Sequence, residues 1–271
     1  MGKGDKQKKA HIKEHKRLWL ATFTIIVTVS TLILGYYLLI HKSEGYSSIG
    51  GGYDIGILDQ FYSQNPRFSD EVTSLASSLG LKVYVHKDEN ITVGLYKKLP
   101  TFGYKLIILR VHAGVCEKLS YHPTFLFTSE RYTTSKYIVE QLSDLIMSGV
   151  IDPENPVNPV FTVGPDFIES SEGSYNGATV ILSSCLGLYN KHLAEAFLNK
   201  GAKVFISWDE KVSLRHTDEG VLLLLRRLLL DKMTVEEAVI SVMNEVGSDP
   251  NFGGKLGYYP LEEGELKLDL R

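Results

Sequence analysis

The sequence predicts an α/β fold: an open, mostly parallel sheet with helices on both faces, preceded by one N-terminal transmembrane helix. Three observations carry this. Apolar runs of strand length alternate with segments of helical periodicity from residue 53 onward. A stretch of 23 uncharged residues occupies positions 18–40. The composition, 44% hydrophobic and 23% charged, is that of an ordinary globular chain with enough apolar side chains for one large core.

The N-terminus comes first. Residues 1–17 carry seven basic side chains, from Lys3 to Arg17, against only Asp5 and Glu14. The overall charge is -3, so the rest of the chain is clearly acidic. An acidic body argues against nucleic acid as a partner, because phosphate binding needs a basic face. As a helix, 18–40 would be about 35 Å long, enough for a bilayer core of about 30 Å. Trp19 and the pair Tyr36/Tyr37 suit the two interfaces. A buried core helix and a cleaved signal peptide are the competing readings. The stretch is too long for a signal peptide and no small-residue cleavage pattern follows it. The basic residues then place 1–17 in the cytoplasm and the globular part outside it, as a single-pass protein of the cell membrane with a signal-anchor. Residues 41–52, rich in Gly and Ser, read as a linker, and the domain as 53–271.

Within the domain, strands are expected at 53–59, 81–86, 104–112, 160–164, 178–185 and 202–208. Helices are expected at 65–80, 91–100, 135–149, 190–201, 217–231 and 234–246. Gly80 supplies a helix stop, and Ser135 and Gly149 bracket another helix. Residues 123–134 read as a hairpin or extended excursion, and 261–271 as a final strand or tail.

In open parallel sheets, ligands and reactive groups gather just beyond the carboxyl ends of the strands. Two of the most apolar strands end there in chemistry. LIILRV (106–111) leads to His112, and TVILSS (179–184) leads to Cys185. A thiol beside an imidazole suffices for nucleophilic attack on a carbonyl. Taken singly, each is more often structural: a cysteine after an apolar run is a small buried hydrophobe, and a strand-end histidine a satisfied polar group. Cys116, the second cysteine, lies in the loop after His112. A Cys116–Cys185 disulfide would block the nucleophile. His86, His122, His192 and His216 show no metal-ligand spacing, and no phosphate loop or dinucleotide fingerprint is present, so no metal or cofactor is expected. Asn90-Ile91-Thr92 fits the glycosylation acceptor pattern.

The blocks LIILRVHAG and TVILSSCLG, followed by LAEAFLNKGAKVFISW (193–208) and DEGVLLLLRRLLLDKMTVEEAV (218–239), resemble the caspase-like fold of the clan CD cysteine peptidases, most of all the CHAT-type branch. The resemblance spans roughly 53–248 through short motifs in a fixed order. It implies a thiol protease with Cys185 as nucleophile and His112 as general base or acid. It implies an oxyanion hole from the N–H groups of Gly114 and Cys185, and a substrate-binding pocket lined by Trp208, Asp209 and Glu210 that favours a basic residue before the cut. Ala113 directly after the histidine and Ser184 before the cysteine depart from the family pattern. The expected function is a membrane-tethered endopeptidase acting on peptides or proteins. The alternative is an inactive domain of the same fold that binds a peptide or partner at the membrane surface. A generic α/β sensor or solute-binding domain is a third reading.

Overall fold

The computed structural model describes residue 19, residues 22–24 and 27–32, and residues 52–151 and 156–270. The chain divides into two units, Met1–Ile49 and Gly50–Arg271. In the first, the described residues are helical and exposed, with threonine hydroxyls bonded back onto the helix, as from Thr28 Oγ1 to the Thr24 carbonyl. Among the described residues no helix is long and apolar enough to cross a membrane. The expectation of a transmembrane helix over 18–40 is corrected on this point. A span needs about 20 consecutive helical residues, and no helix of that length occurs among the described residues. The rest of 18–40, the basic segment 1–17 and the linker up to residue 51 lie outside the described residues. Membrane attachment, orientation and an extracytoplasmic location lose their basis with the span.

The second unit is a mixed α/β domain with two sheets, where one parallel sheet was expected. The larger has six strands: β1 (Ile55–Asp59), β2 (Val83–Lys87), β3 (Leu106–Arg110), β8 (Thr179–Leu182), β9 (Val204–Trp208) and β10 (Leu256–Tyr259), in the order β10-β9-β8-β3-β1-β2. The five strands from β9 to β2 are parallel; β10 runs antiparallel on β9. Strands β1, β3, β8 and β9 are buried at every residue, which is why they read as unbroken apolar runs.

Helices α1 (Arg67–Ser78), α6 (Leu214–Leu229) and α7 (Val235–Glu245) cover one face. Phe68, Val72 and Ala76, spaced four apart on α1, join Val221, Leu224 and Leu228 of α6 over Ile57, Ile108, Ile181 and Ile206. Helix α7 starts in a reciprocal cap, with Thr234 Oγ1 accepting from the Glu237 amide and the Glu237 carboxylate from the Thr234 amide. On the opposite face, α5 (His192–Asn199) stacks Phe197 on Phe205 of β9 at 5.3 Å. Shorter helices α2 (Val93–Lys98), α3 (Ile138–Leu142) and α4 (Pro165–Ser170) complete the unit.

The smaller sheet is antiparallel, in the order β4-β5-β7-β6: β4 (Ala113–Val115), β5 (Thr124–Arg131), β6 (Ile146–Gly149) and β7 (Val160–Val163). It lies in sequence between β3 and β8, and it changes two local expectations. The segment at 123–134 is one long strand shared by β4 and β7, not a hairpin. The helix expected over 135–149 stops at Leu142. Asp144 turns left-handed (φ 55°), and residues 146–149 are spent on pairing with β7.

Candidate active site

Strands β3 and β8 are neighbours, paired in parallel up to Leu109 opposite Leu182, and the Ser183 amide donates to the Leu109 carbonyl at 2.8 Å. His112 follows β3 by two residues and Cys185 follows β8 by three, so both lie beyond the carboxyl ends of neighbouring strands.

His112 is fixed at its backbone and at its ring. Its amide donates to Gln60 Oε1 at 2.9 Å, and its carbonyl accepts from the Phe127 amide at 2.9 Å. The imidazole meets the Phe61 ring edge-on at 4.6 Å, with Phe127 at 6.3 Å. Burial among these rings lowers its pKa below the ordinary histidine value, so the ring is neutral at neutral pH and free to take a proton. Beneath it, Arg110 forms a buried ionic cluster with Asp59 and Asp218. Asp59 also accepts from Ser69 Oγ at 2.6 Å and from the Phe61 amide at 3.0 Å. Phe61, whose ring meets the imidazole, and Arg110 are thereby held by one carboxylate.

Cys185 sits at the start of a strained turn. Leu186, the next residue, has φ 61°, a left-handed conformation that costs a non-glycine residue about 1–3 kcal/mol. Its surroundings enforce it. The Leu186 amide donates to the Glu210 carbonyl at 3.0 Å, its carbonyl accepts from Thr124 Oγ1 at 2.7 Å, and the Leu188 amide reaches the Trp208 carbonyl at 2.9 Å. Gly187 follows because a Cβ there would run into the Ser207 side chain. Among the described residues no acceptor takes the Cys185 amide. The half-buried thiol faces Val212, whose amide and carbonyl both lie 3.5 Å from Sγ. No hydrogen bond joins Sγ to His112 among the described residues.

The other residues named from the sequence are placed differently. Gly114 lies inside β4, opposite Phe125. The bonds from Phe127 to His112 and from Cys116 to Pro123 fall two positions to either side. Antiparallel alternation therefore commits the Gly114 amide to the Phe125 carbonyl, and it cannot also serve an oxyanion. Trp208 is fully buried; its indole N–H donates to Thr217 Oγ1 at 2.9 Å, which also meets Ser183 Oγ at 3.0 Å. It fills the core and lines no pocket. Asp209 and Glu210 are exposed at the end of β9. Asp209 accepts from the Lys255 amide at 2.7 Å, while Glu210 contributes its carbonyl to the Leu186 turn. Cys116 and Cys185 are both free thiols; Cys116 Sγ lies 3.3 Å from Met147 Sδ.

Sequence reasoning missed Asp249 and the Arg110 cluster. A charged residue inside an otherwise apolar strand was the available signal for Arg110; for Asp249 the local Asp-Pro-Asn turn was visible, but its bonds to Ser213, 36 residues away, were not. Among the described residues no group of three or more His, Cys, Asp and Glu side chains could hold a metal ion.

No family model matches the chain, and no curated protein matches it. The resemblance to caspase-like peptidases of the CHAT-type branch rested on short motifs and finds no support in these comparisons. It is set aside. With it go the reading as a membrane-tethered endopeptidase and its alternative, an inactive domain of that fold at a membrane surface.

Proposed function

We propose that the domain is a thiol-dependent hydrolase acting on a carbonyl compound at the carboxyl edge of its large sheet. The observation that supports this is that His112 and Cys185 each follow the carboxyl end of a neighbouring parallel strand, β3 and β8, with a strained left-handed residue directly after the thiol. Strain of this kind persists only where the surroundings over-determine it, and it gathers at functional turns.

In this reading Cys185 is the nucleophile. His112, neutral through burial, takes the thiol proton, and the sulfur attacks the carbonyl carbon. The C–N or C–O bond to the leaving group breaks, and the imidazolium returns its proton to that group. Water, deprotonated by the same histidine, then hydrolyses the thioester and frees the thiol. The open Cys185 amide is the donor available to the oxyanion. Asp209 and Glu210 stand exposed at the rim, where an acidic pair would favour a cationic substrate.

The test uses the full chain in reducing buffer against a panel of peptide amides and simple esters, with products read by mass spectrometry. Hydrolysis abolished in Cys185→Ala and in His112→Ala, with both variants unfolding at the parent's temperature, is the expected result. A parent chain with fully reduced Cys185 that hydrolyses none of the panel, or a Cys185→Ala variant that retains the activity, overturns the reading.

A further inference from the structure

One buried carboxylate near the thiol has no part in the chemistry above. Asp249, only 2% exposed, gathers four donors. Its Oδ2 accepts from the Ser213 amide at 2.8 Å and from Ser213 Oγ at 2.6 Å. Its Oδ1 accepts from the amides of Asn251 and Phe252 at 2.8 and 2.9 Å. Burial works to raise this carboxyl's pKa; the bonds from Ser213, Asn251 and Phe252 outweigh it and hold the value down to about 2. The backbone of 249–254 closes on itself through the Asp249 amide to the Gly254 carbonyl and the Gly253 amide to the Asp249 carbonyl. Gly254 lies so close to the Lys211 carbonyl that a Cβ there would stand 2.6 Å from it.

Ser213 is the residue directly after Val212, and Val212 is the residue that holds the Cys185 thiol. Its amide donates to Sγ and its carbonyl accepts from it, both at 3.5 Å. The chain of contacts therefore runs without a gap from the Asp249 carboxylate, through both polar groups of Ser213, to the sulfur. We infer that Asp249 is a positioning residue for Cys185: by fixing Ser213 it presses the Val212 peptide against Sγ and holds the thiol there until that segment yields. The inference deepens the proposed hydrolase site and rests on that reading for its meaning. A substrate or partner that displaces 249–254 would free the thiol.

Alkylation of the full chain by iodoacetamide, followed by peptide mapping, reads each cysteine separately. Cys116 then serves as an internal control for general loosening. Asp249→Asn keeps one oxygen for the Asn251 and Phe252 amides but replaces the acceptor facing Ser213 with a donor. Cys185 is expected to react at least threefold faster in that variant, with Cys116 unchanged. Ser213→Ala should accelerate Cys185 in the same direction, and Ser213→Thr, which keeps the hydroxyl, should restore the parent rate. A change of less than threefold in Asp249→Asn, acceleration of both cysteines together, or equal rates in Ser213→Ala and Ser213→Thr overturns the inference. If Asp249→Asn does not fold, the Ser213 pair decides alone. Alkylation needs no turnover, so a chain that hydrolyses nothing can still pass this test, and an active hydrolase can fail it.

Discussion

Arg110 grips Asp218 through two parallel bonds, Nε to Oδ1 and Nη2 to Oδ2, each 2.8 Å long, and so ties the end of β3 to the second turn of α6. The third nitrogen side of the guanidinium reaches Asp59 at 2.6 Å. Arg110 and Asp59 are wholly buried. Replacing Arg110 by Met leaves two carboxylates facing each other without a cation. Removing one member of a buried ionic group costs about 3–5 kcal/mol. Urea unfolding of Arg110→Met should show a loss of that size, and the triple variant Arg110→Met, Asp59→Asn, Asp218→Asn should recover much of it. Equal midpoints for the parent and the single variant would show that the cluster contributes nothing.

His86 makes stability depend on pH. It is 3% exposed, packed edge-on against Tyr84 at 4.7 Å and bonded to the Tyr104 hydroxyl at 3.0 Å. Burial lowers its pKa to about 4. In the unfolded chain the ring protonates near 6.5. Between those values the unfolded state binds the extra proton and the folded state does not. Its contribution is therefore intact above pH 6.5, shrinks as pH falls from 6.5 to about 4, and changes no further below that. His86→Gln should flatten the fall over this window, leaving a smaller slope from His112, whose shift has the same sign.

The same sign would govern the proposed hydrolysis. In that proposal a neutral His112 is the form that accepts the thiol proton, and burial lowers its pKa below the usual histidine value. The acid limb of the rate profile is expected to fall below pH 6.5, the unperturbed value. Phe61→Ala opens the imidazole to water on the side where the rings meet at 4.6 Å, and should move that limb upward toward 6.5. A limb already at 6.5 in the parent, unmoved in the variant, would detach His112 from the rate.

Gly187 is required by contact and not by backbone sign. A methyl group there meets the Ser207 side chain and the end of Leu182, both buried. Gly187→Ala should cost about 1–3 kcal/mol, the usual price of overpacking, and lower the midpoint of thermal unfolding. Ser207→Gly in the same chain should return much of the loss, because it removes the nearest obstacle. No recovery would place the strain elsewhere in the turn.

The main strands of the large sheet were legible because they are buried on both faces, so that IGILD, LIILR, TVIL and VFISW read as unbroken apolar runs. The positions of His112 and Cys185 followed from those strands. The small sheet was hidden for the opposite reason. Its β6 is four residues long, and its identity depends on pairing with β7 further along the chain, which no local pattern records. Residues 135–149 carry real helical spacing, yet tertiary pairing claims their second half. The pairing of Gly114 with Phe125 in β5 was not visible either, because the short β4 gave no strand signal of its own. The full burial of Trp208 was not legible, because a strand-end aromatic looks alike whether it lines a pocket or fills a core. The candidate anchor was a property of one uncharged stretch, and hydropathy alone did not become a membrane-spanning helix among the described residues.

The chain leaves the large sheet after His112, builds all four strands of the small one, and only then returns to place Cys185. Even at that point the thiol's turn is unsupported, since the Leu186 amide waits for the Glu210 carbonyl beyond β9. During synthesis, domains fold as their segments emerge from the N-terminal end. A nascent chain halted between residues 185 and 210 carries the imidazole and the thiol, but not the carbonyl that supports the thiol's turn. The geometry of the proposed site is thus a late product of translation, withheld from every shorter fragment until the strand that secures it has left the ribosome.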